Sequence, residues 1–193
     1  MKLQLNSILI VFALVNLFTI SNVQAQTANS HVYSVDEIIQ KAPNLVGQTV
    51  QVKGLVSHIC EKSGRKLFLA VADNSKTFRF NAGDKIEVFD ENAVDSTVIA
   101  TGVITETRIT LEDLAKQEKA AIAAAEKIAK ATKKVAADHC TSEAKANGEN
   151  TAATPLQRIQ TQKDQISKQV AEGKNNYLSF YAANNCNEYK IVK

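Results

Sequence analysis

The chain has no tryptophan, two prolines and three cysteines in 193 residues, and after an apolar run from Ile8 to Ile20 it has no second long hydrophobic stretch. Nothing downstream of that run therefore reads as a membrane-spanning helix. The sequence contains no Gly-x-Ser-x-Gly elbow, P-loop, His-Glu-x-x-His or EF-hand pattern, which leaves the corresponding hydrolase, nucleotide, zinc-protease and calcium chemistries without support. The absence of Cys-x-x-Cys argues against a thioredoxin-like redox role. Asp36, Glu37, Asp90 and Glu91 form no spaced pair suited to proton transfer, and capping and solvation account for them. A formal charge of +3 is far from the strongly basic field of a dedicated nucleic-acid binder.

What is present begins with an export signal. Lys2 gives a positive start, the apolar run follows, and Val23-Gln24-Ala25 supplies a signal peptidase site, so the mature chain is expected to begin at Gln26. None of the three cysteines lies before Cys60, so no residue is available for a lipoprotein anchor. The expectation is a periplasmic or secreted protein. In such an oxidising compartment Cys60, Cys140 and Cys186 allow one disulfide with one thiol left over, or a metal site.

Ser34 and Glu37 form a capping box that opens a short helix ended by Pro43. Thr49 to Ile59 is a β-branched strand in which Gly54 suggests a bulge or a sharp coil, a break that lets one strand serve both sides of a barrel. Lys66 to Ala72 and Lys76 to Asn81 alternate around the turn Asp73-Asn74-Ser75, with Phe78 and Phe80 on the core face and Arg79 opposite. A connection follows, and then a long strand from Ser96 to Thr105. The order of elements, and the segment Leu45-Val46-Gly47-Gln48-Thr49-Val50-Gln51-Val52-Lys53-Gly54-Leu55-Val56, resemble small exported bacterial OB-fold proteins over about residues 33 to 109. The resemblance implies a five-stranded barrel and is nearly silent on function.

Thr110 with Asp113 caps a second helix, along which Leu114, Ala121, Ile128 and Val135 recur every seven residues, while the companion row Leu111, Glu118, Ala125 and Thr132 is only half apolar. Thr154, Pro155 and Gln157 open a third helix, whose stripe of Leu156, Ile159, Ile166 and Val170 is broken by Lys163 and closed by Gly173. The two read as a hairpin packed on itself or on the barrel. Tyr177 to Tyr181 and Glu188 to Val192 look like two strands around a bend at Ala183 to Asn187, returning to the barrel, and Thr105 to Thr110 is a short candidate for the closing strand. The expected fold is α+β: an OB-fold-like barrel over 26–109, a helical hairpin over 110–173 and closing strands over 174–193.

His58 and Cys60 share one side of a strand, and His139 and Cys140 continue the helix stripe, so their convergence would suit zinc or copper(I). A Cys60–Cys140 disulfide competes with that reading and carries more weight in an exported protein, and pairing of Cys140 with Cys186 stays open. Lys62, Arg65 and Lys66, with Phe68 and Arg79, form a candidate basic patch on the barrel face that OB-folds use for oligosaccharides and nucleic acids. The scarcity of nucleic acid outside the cytoplasm argues against the second, and a solvated loop is the plainer account. Covalent haem handling lacks its C-terminal histidine and any Cys-x-x-Cys-His. The leading expectation is a non-catalytic exported binding or adaptor module, without cofactor, for an envelope protein or small ligand.

Overall fold

The computed structural model describes residues 31–130 and 153–192, with the side chains of 128–130 left undescribed. In chain order the elements are β1 (Val32–Ser34), α1 (Val35–Lys41), a 3-10 turn (Ala42–Asn44), β2 (Thr49–Ile59), β3 (Lys66–Ala70), β4 (Thr77–Ala82), a second 3-10 turn (Glu91–Ala93), β5 (Thr97–Thr110), α2 (Leu111–Lys130), α3 (Pro155–Ala171) and β6 (Tyr177–Ile191). The strands run β1-β2-β3-β4-β6-β5, and β5 pairs back onto β2, so five strands close into a barrel with β1 added beside β2. The β1–β2 and β4–β6 pairs are parallel and the others antiparallel. This is the expected OB-fold-like architecture, with a helical hairpin inserted between the last two strands.

Closure turns on β2. Its first half pairs with β5 from Thr49↔Val103 to Leu55↔Thr97, and its second half pairs with β3 from Leu55↔Ala70 to Ile59↔Leu67. The register irregularity falls between Val56 and His58 and not at Gly54, while the change of partner from β5 to β3 falls at Leu55, the residue after Gly54. Gly54 has a different role: a Cβ there would meet Val35 Cγ2 at 2.6 Å and Leu69 Cβ at 3.0 Å. Its bareness lets the first turn of α1 lie against the sheet. That turn is fixed by the expected box, in which the Glu37 amide donates to Ser34 Oγ at 3.2 Å and the Ser34 amide donates to Glu37 Oε2 at 2.9 Å. Val35, Ile38 and Ala42 are buried and join Val50, Val52, Leu67, Leu69, Phe78 and Phe80 in the barrel core.

The C-terminal segment is a single strand, not two strands around a bend. Asn185 takes a left-handed conformation (φ 54°), and between the pairs Thr101↔Glu188 and Val103↔Asn184 a bulge absorbs the two residues by which β6 exceeds β5. The segment Thr105 to Thr110 is likewise no separate strand; it continues β5 and pairs with β6 out to Thr110↔Tyr177. Beyond the barrel the two strands form a ribbon. Helix α2 follows β5 without a linker, and the Thr110–Asp113 pairing holds the junction, the Asp113 amide donating to Thr110 Oγ1 at 3.2 Å and the Thr110 amide to Asp113 Oδ2 at 3.0 Å. Helix α3 starts with the Thr154, Pro155 and Gln157 cap and ends before Gly173, whose φ is 71°. Leu114, Ile159, Ile166 and Leu178 make a second core, with Ile109, Ala121 and Phe180 against it. Glu118 and Lys163, the polar breaks in the two helix stripes, meet across the hairpin at 2.7 Å. Among the described residues no helix is long and apolar enough to cross a membrane.

Gly54→Ala is expected to destabilise the protein by about 1–3 kcal/mol through overpacking against Val35 and Leu69. Urea denaturation should show a lower midpoint with an unchanged slope, and an unaltered midpoint would mean that the first turn of α1 is not held by this contact.

Candidate functional site: one face of a protruding ribbon

Three of the sequence-derived site residues form a row across the outer barrel wall. His58 on β2 lies opposite Phe68 on β3, with ring centroids 5.7 Å apart, and Phe68 lies opposite Arg79 on β4. Phe68 points away from the interior that takes its neighbours Leu67 and Leu69, yet it is fully buried. In this arrangement it offers no surface on which a base or sugar could stack. Arg65 is committed to the backbone: Nη1 donates to the carbonyls of Ile86 and Glu87 at 3.4 and 2.8 Å, and Nη2 to those of Ala82 and Gly83 at 3.3 and 3.4 Å. It pins the β4–β5 connection to the β2–β3 turn. Lys62 stands on that exposed turn, and Lys66 is half-buried at the start of β3. The five candidate ligand residues are thus dispersed over a turn, a clamp and a covered wall.

The thiols are equally withdrawn. Cys60 and Cys186 are both buried. Burial pushes the Cys186 thiol up to about 11, and its Sγ lies 3.5 Å from the Glu188 carbonyl, so the group stays protonated and unreactive near neutrality. His139 and Cys140 lie outside the described residues, and with them the Cys60–Cys140 and Cys140–Cys186 pairings. Among the described residues no three histidine, cysteine or acidic side chains are placed to hold a metal.

A different constellation is well organised. In the ribbon Glu106 pairs with Tyr181, Arg108 with Ser179 and Thr110 with Tyr177, so strand alternation puts these side chains on one face. Ile109, Leu178 and Phe180 take the other face, under the helices. Glu106 is the hub. Ser179 Oγ donates to its Oε1 at 2.6 Å and the Tyr181 hydroxyl to the same oxygen at 3.4 Å, while Arg108 Nε and Nη2 reach Oε2 at 3.0 and 2.9 Å. The guanidinium of Arg108 sits 4.7 Å over the Tyr177 ring. The Arg108 hydrogen bond, followed by that of Ser179, holds the Glu106 carboxyl below the usual carboxylate range, and Glu106 in turn raises Arg108. Sequence reasoning missed this group because it read Thr105 to Thr110 as a separate short strand and did not pair it with Tyr177 to Tyr181. The signal was the alternation Glu-x-Arg in one segment and Tyr-x-Ser-x-Tyr in the other, and it becomes informative only when the two are aligned.

No protein-family model and no curated protein matches the chain. Among solved structures, a chain designated an aspartyl-tRNA synthetase from Leishmania major Friedlin shares 25% identity over 44% of this chain, with a TM-score of 0.29. The match covers 18% of that protein. Overlap this slight carries no argument about ligand or activity, and the site is read from its own residues.

Because the folded state lowers the Glu106 pKa, the stability it contributes is present above the ordinary glutamate value and is lost as pH falls through the depressed one. Glu106→Gln should lower the melting temperature at pH 7, and the gap from the parent should close as acidification takes the pH below the ordinary glutamate value and through the depressed one. A gap independent of pH would show that the carboxylate charge does not organise this face.

Proposed function

We propose that the protein is an exported, non-catalytic binding module that takes an envelope ligand on the polar face of the β5–β6 ribbon. One observation carries this reading: the chain builds a second apolar core, around Leu114, Ile159, Ile166 and Leu178, that serves only the ribbon and its helices, while the barrel has a separate core of its own. A barrel needs no such extension in order to fold. Its position supports the reading, since the connection between the last two OB strands is one of the loops through which this fold engages ligands. The face opposite the helices presents two tyrosines, an arginine, a serine and a carboxylate, and aromatic residues and arginine are enriched where proteins bind partners. Export rests on the leader ending at Ala25, and kinship with exported bacterial OB-fold proteins on the Leu45 to Val56 segment.

The test uses the full-length protein in cells of a bacterial host. A photo-crosslinking benzoylphenylalanine at Tyr177 keeps an aromatic ring beneath Arg108, and the same group at exposed Lys53 on the barrel wall serves as control. After irradiation, mass spectrometry of the recovered protein should show a chain beginning at Gln26 and a discrete adduct at position 177 without its counterpart at 53. An uncleaved precursor would remove the export reading. Equal adducts at both positions, or none at either, would remove the ribbon as the binding face.

A further inference from the structure

Resting on the ribbon reading, we infer that Arg108 is its ligand-reading group and presents a fixed guanidinium edge to an oxyanion, a carboxylate or phosphate, carried by the ligand.

Bond by bond, the arginine is half used. Nε and Nη2 both donate to a single oxygen, Glu106 Oε2, at 3.0 and 2.9 Å. Nη1 makes no hydrogen bond with any described residue. The end-on edge, made of Nη1 and the second N–H of Nη2, is therefore open, and two parallel N–H groups of this kind match the paired oxygens of a carboxylate or phosphate. The side chain is 58% exposed, so a ligand can reach it.

The surroundings hold this edge still. Tyr177 supports the guanidinium from below at 4.7 Å, and Glu106 is itself fixed, with its other oxygen taken by Ser179 and Tyr181. Four side chains on two strands thus position one exposed cation. Exposed ion pairs add little to stability, so stability alone does not account for the arrangement. Prior fixation instead lowers the ordering cost that a flexible arginine meets when it binds. The other arginines have different surroundings: Arg65 is spent on four carbonyls, Arg158 donates to the Ala153 carbonyl at 3.0 Å, and Arg79 lies half-buried in the barrel wall. Glu106 offsets the charge of Arg108, so an isolated anion should bind weakly, and a tight ligand must add contacts to the tyrosines.

The experiment follows the Arg108 Nε–H signal and the Tyr177 ring signals by NMR in the mature protein. Digalacturonate and inorganic phosphate are titrated separately, with the methyl ester of digalacturonate as the uncharged counterpart. At least one anion should give saturable shifts that the ester does not, and which anion succeeds tells a carboxylate ligand from a phosphate one. Arg108→Gln and Arg108→Lys, each checked for an intact amide spectrum, should weaken that binding at least tenfold, the lysine failing because it lacks the fork. Glu106→Gln separates positioning from charge: loss of a nearby negative charge alone would tighten anion binding, whereas loss of the frame would loosen it, and loosening is expected. Tightening in that variant, equal responses from the parent and Arg108→Gln, or no shift with either anion would overturn the inference. Failure here alongside a crosslink at position 177 leaves the ribbon as the binding face and removes only the arginine's role.

Discussion

The pairing of β5 with β6, unbroken except for one bulge from Val98↔Ile191 to Thr110↔Tyr177, is the interaction on which the rest of this molecule depends. Its upper part closes the barrel and brings Ala183 and Cys186 into the core. Its lower part forms the ribbon. The two strands are separated in sequence by the whole helical segment, and closing so long an excursion is costly, although the cost grows only logarithmically with length. The helices lessen it by packing on each other through the Glu118–Lys163 ion pair and the buried Leu114 and Ile166, so that much of the intervening chain is ordered by its own contacts.

Local signals in the sequence translated into structure almost directly. The boxes at Ser34, Thr110 and Thr154 each satisfy amide groups within three residues, so nothing distant has to be known to read them. The alternation that put Phe78 and Phe80 inside and Arg79 outside is equally local. Glu118 and Lys163 looked like defects in two separate apolar stripes, and each is the other's partner. What could not be read was register. Asn185 gave no sign that one residue in left-handed geometry would carry the strand through an apparent bend, and Gly54 gave none that its missing side chain makes room for Val35 and not for a bulge. Those outcomes depend on which residue stands opposite, a property of two segments together.

The same limit explains the candidate site. Residue type drew attention to His58, Cys60, Lys62, Arg65, Lys66, Phe68 and Arg79, all of which carry recognisable chemistry. Folding assigns several of them structural work: Arg65 ties two loops, Phe68 is covered, and Cys60 is enclosed. Glu106, Arg108, Tyr177, Ser179 and Tyr181 are unremarked as separate letters and become a unit only through cross-strand pairing.

That unit and the helical arm are two consequences of one alternation. Along the ribbon, odd and even positions divide cleanly: Ile109, Leu178 and Phe180 face the helices, and Glu106, Arg108, Tyr177, Ser179 and Tyr181 face away. Flipping β5 by one residue would bury a carboxylate and a guanidinium under α2 and α3, and flipping β6 would turn Leu178 and Phe180 out to water. Burial of the apolar face therefore selects the register that assembles the polar one. Docking of the arm and positioning of Arg108 are thermodynamically tied, since whatever loosens Leu114 and Ile166 from Leu178 also weakens the pairing that holds Glu106 against Ser179. A ligand that engages the polar face would, by the same linkage, stabilise the arm.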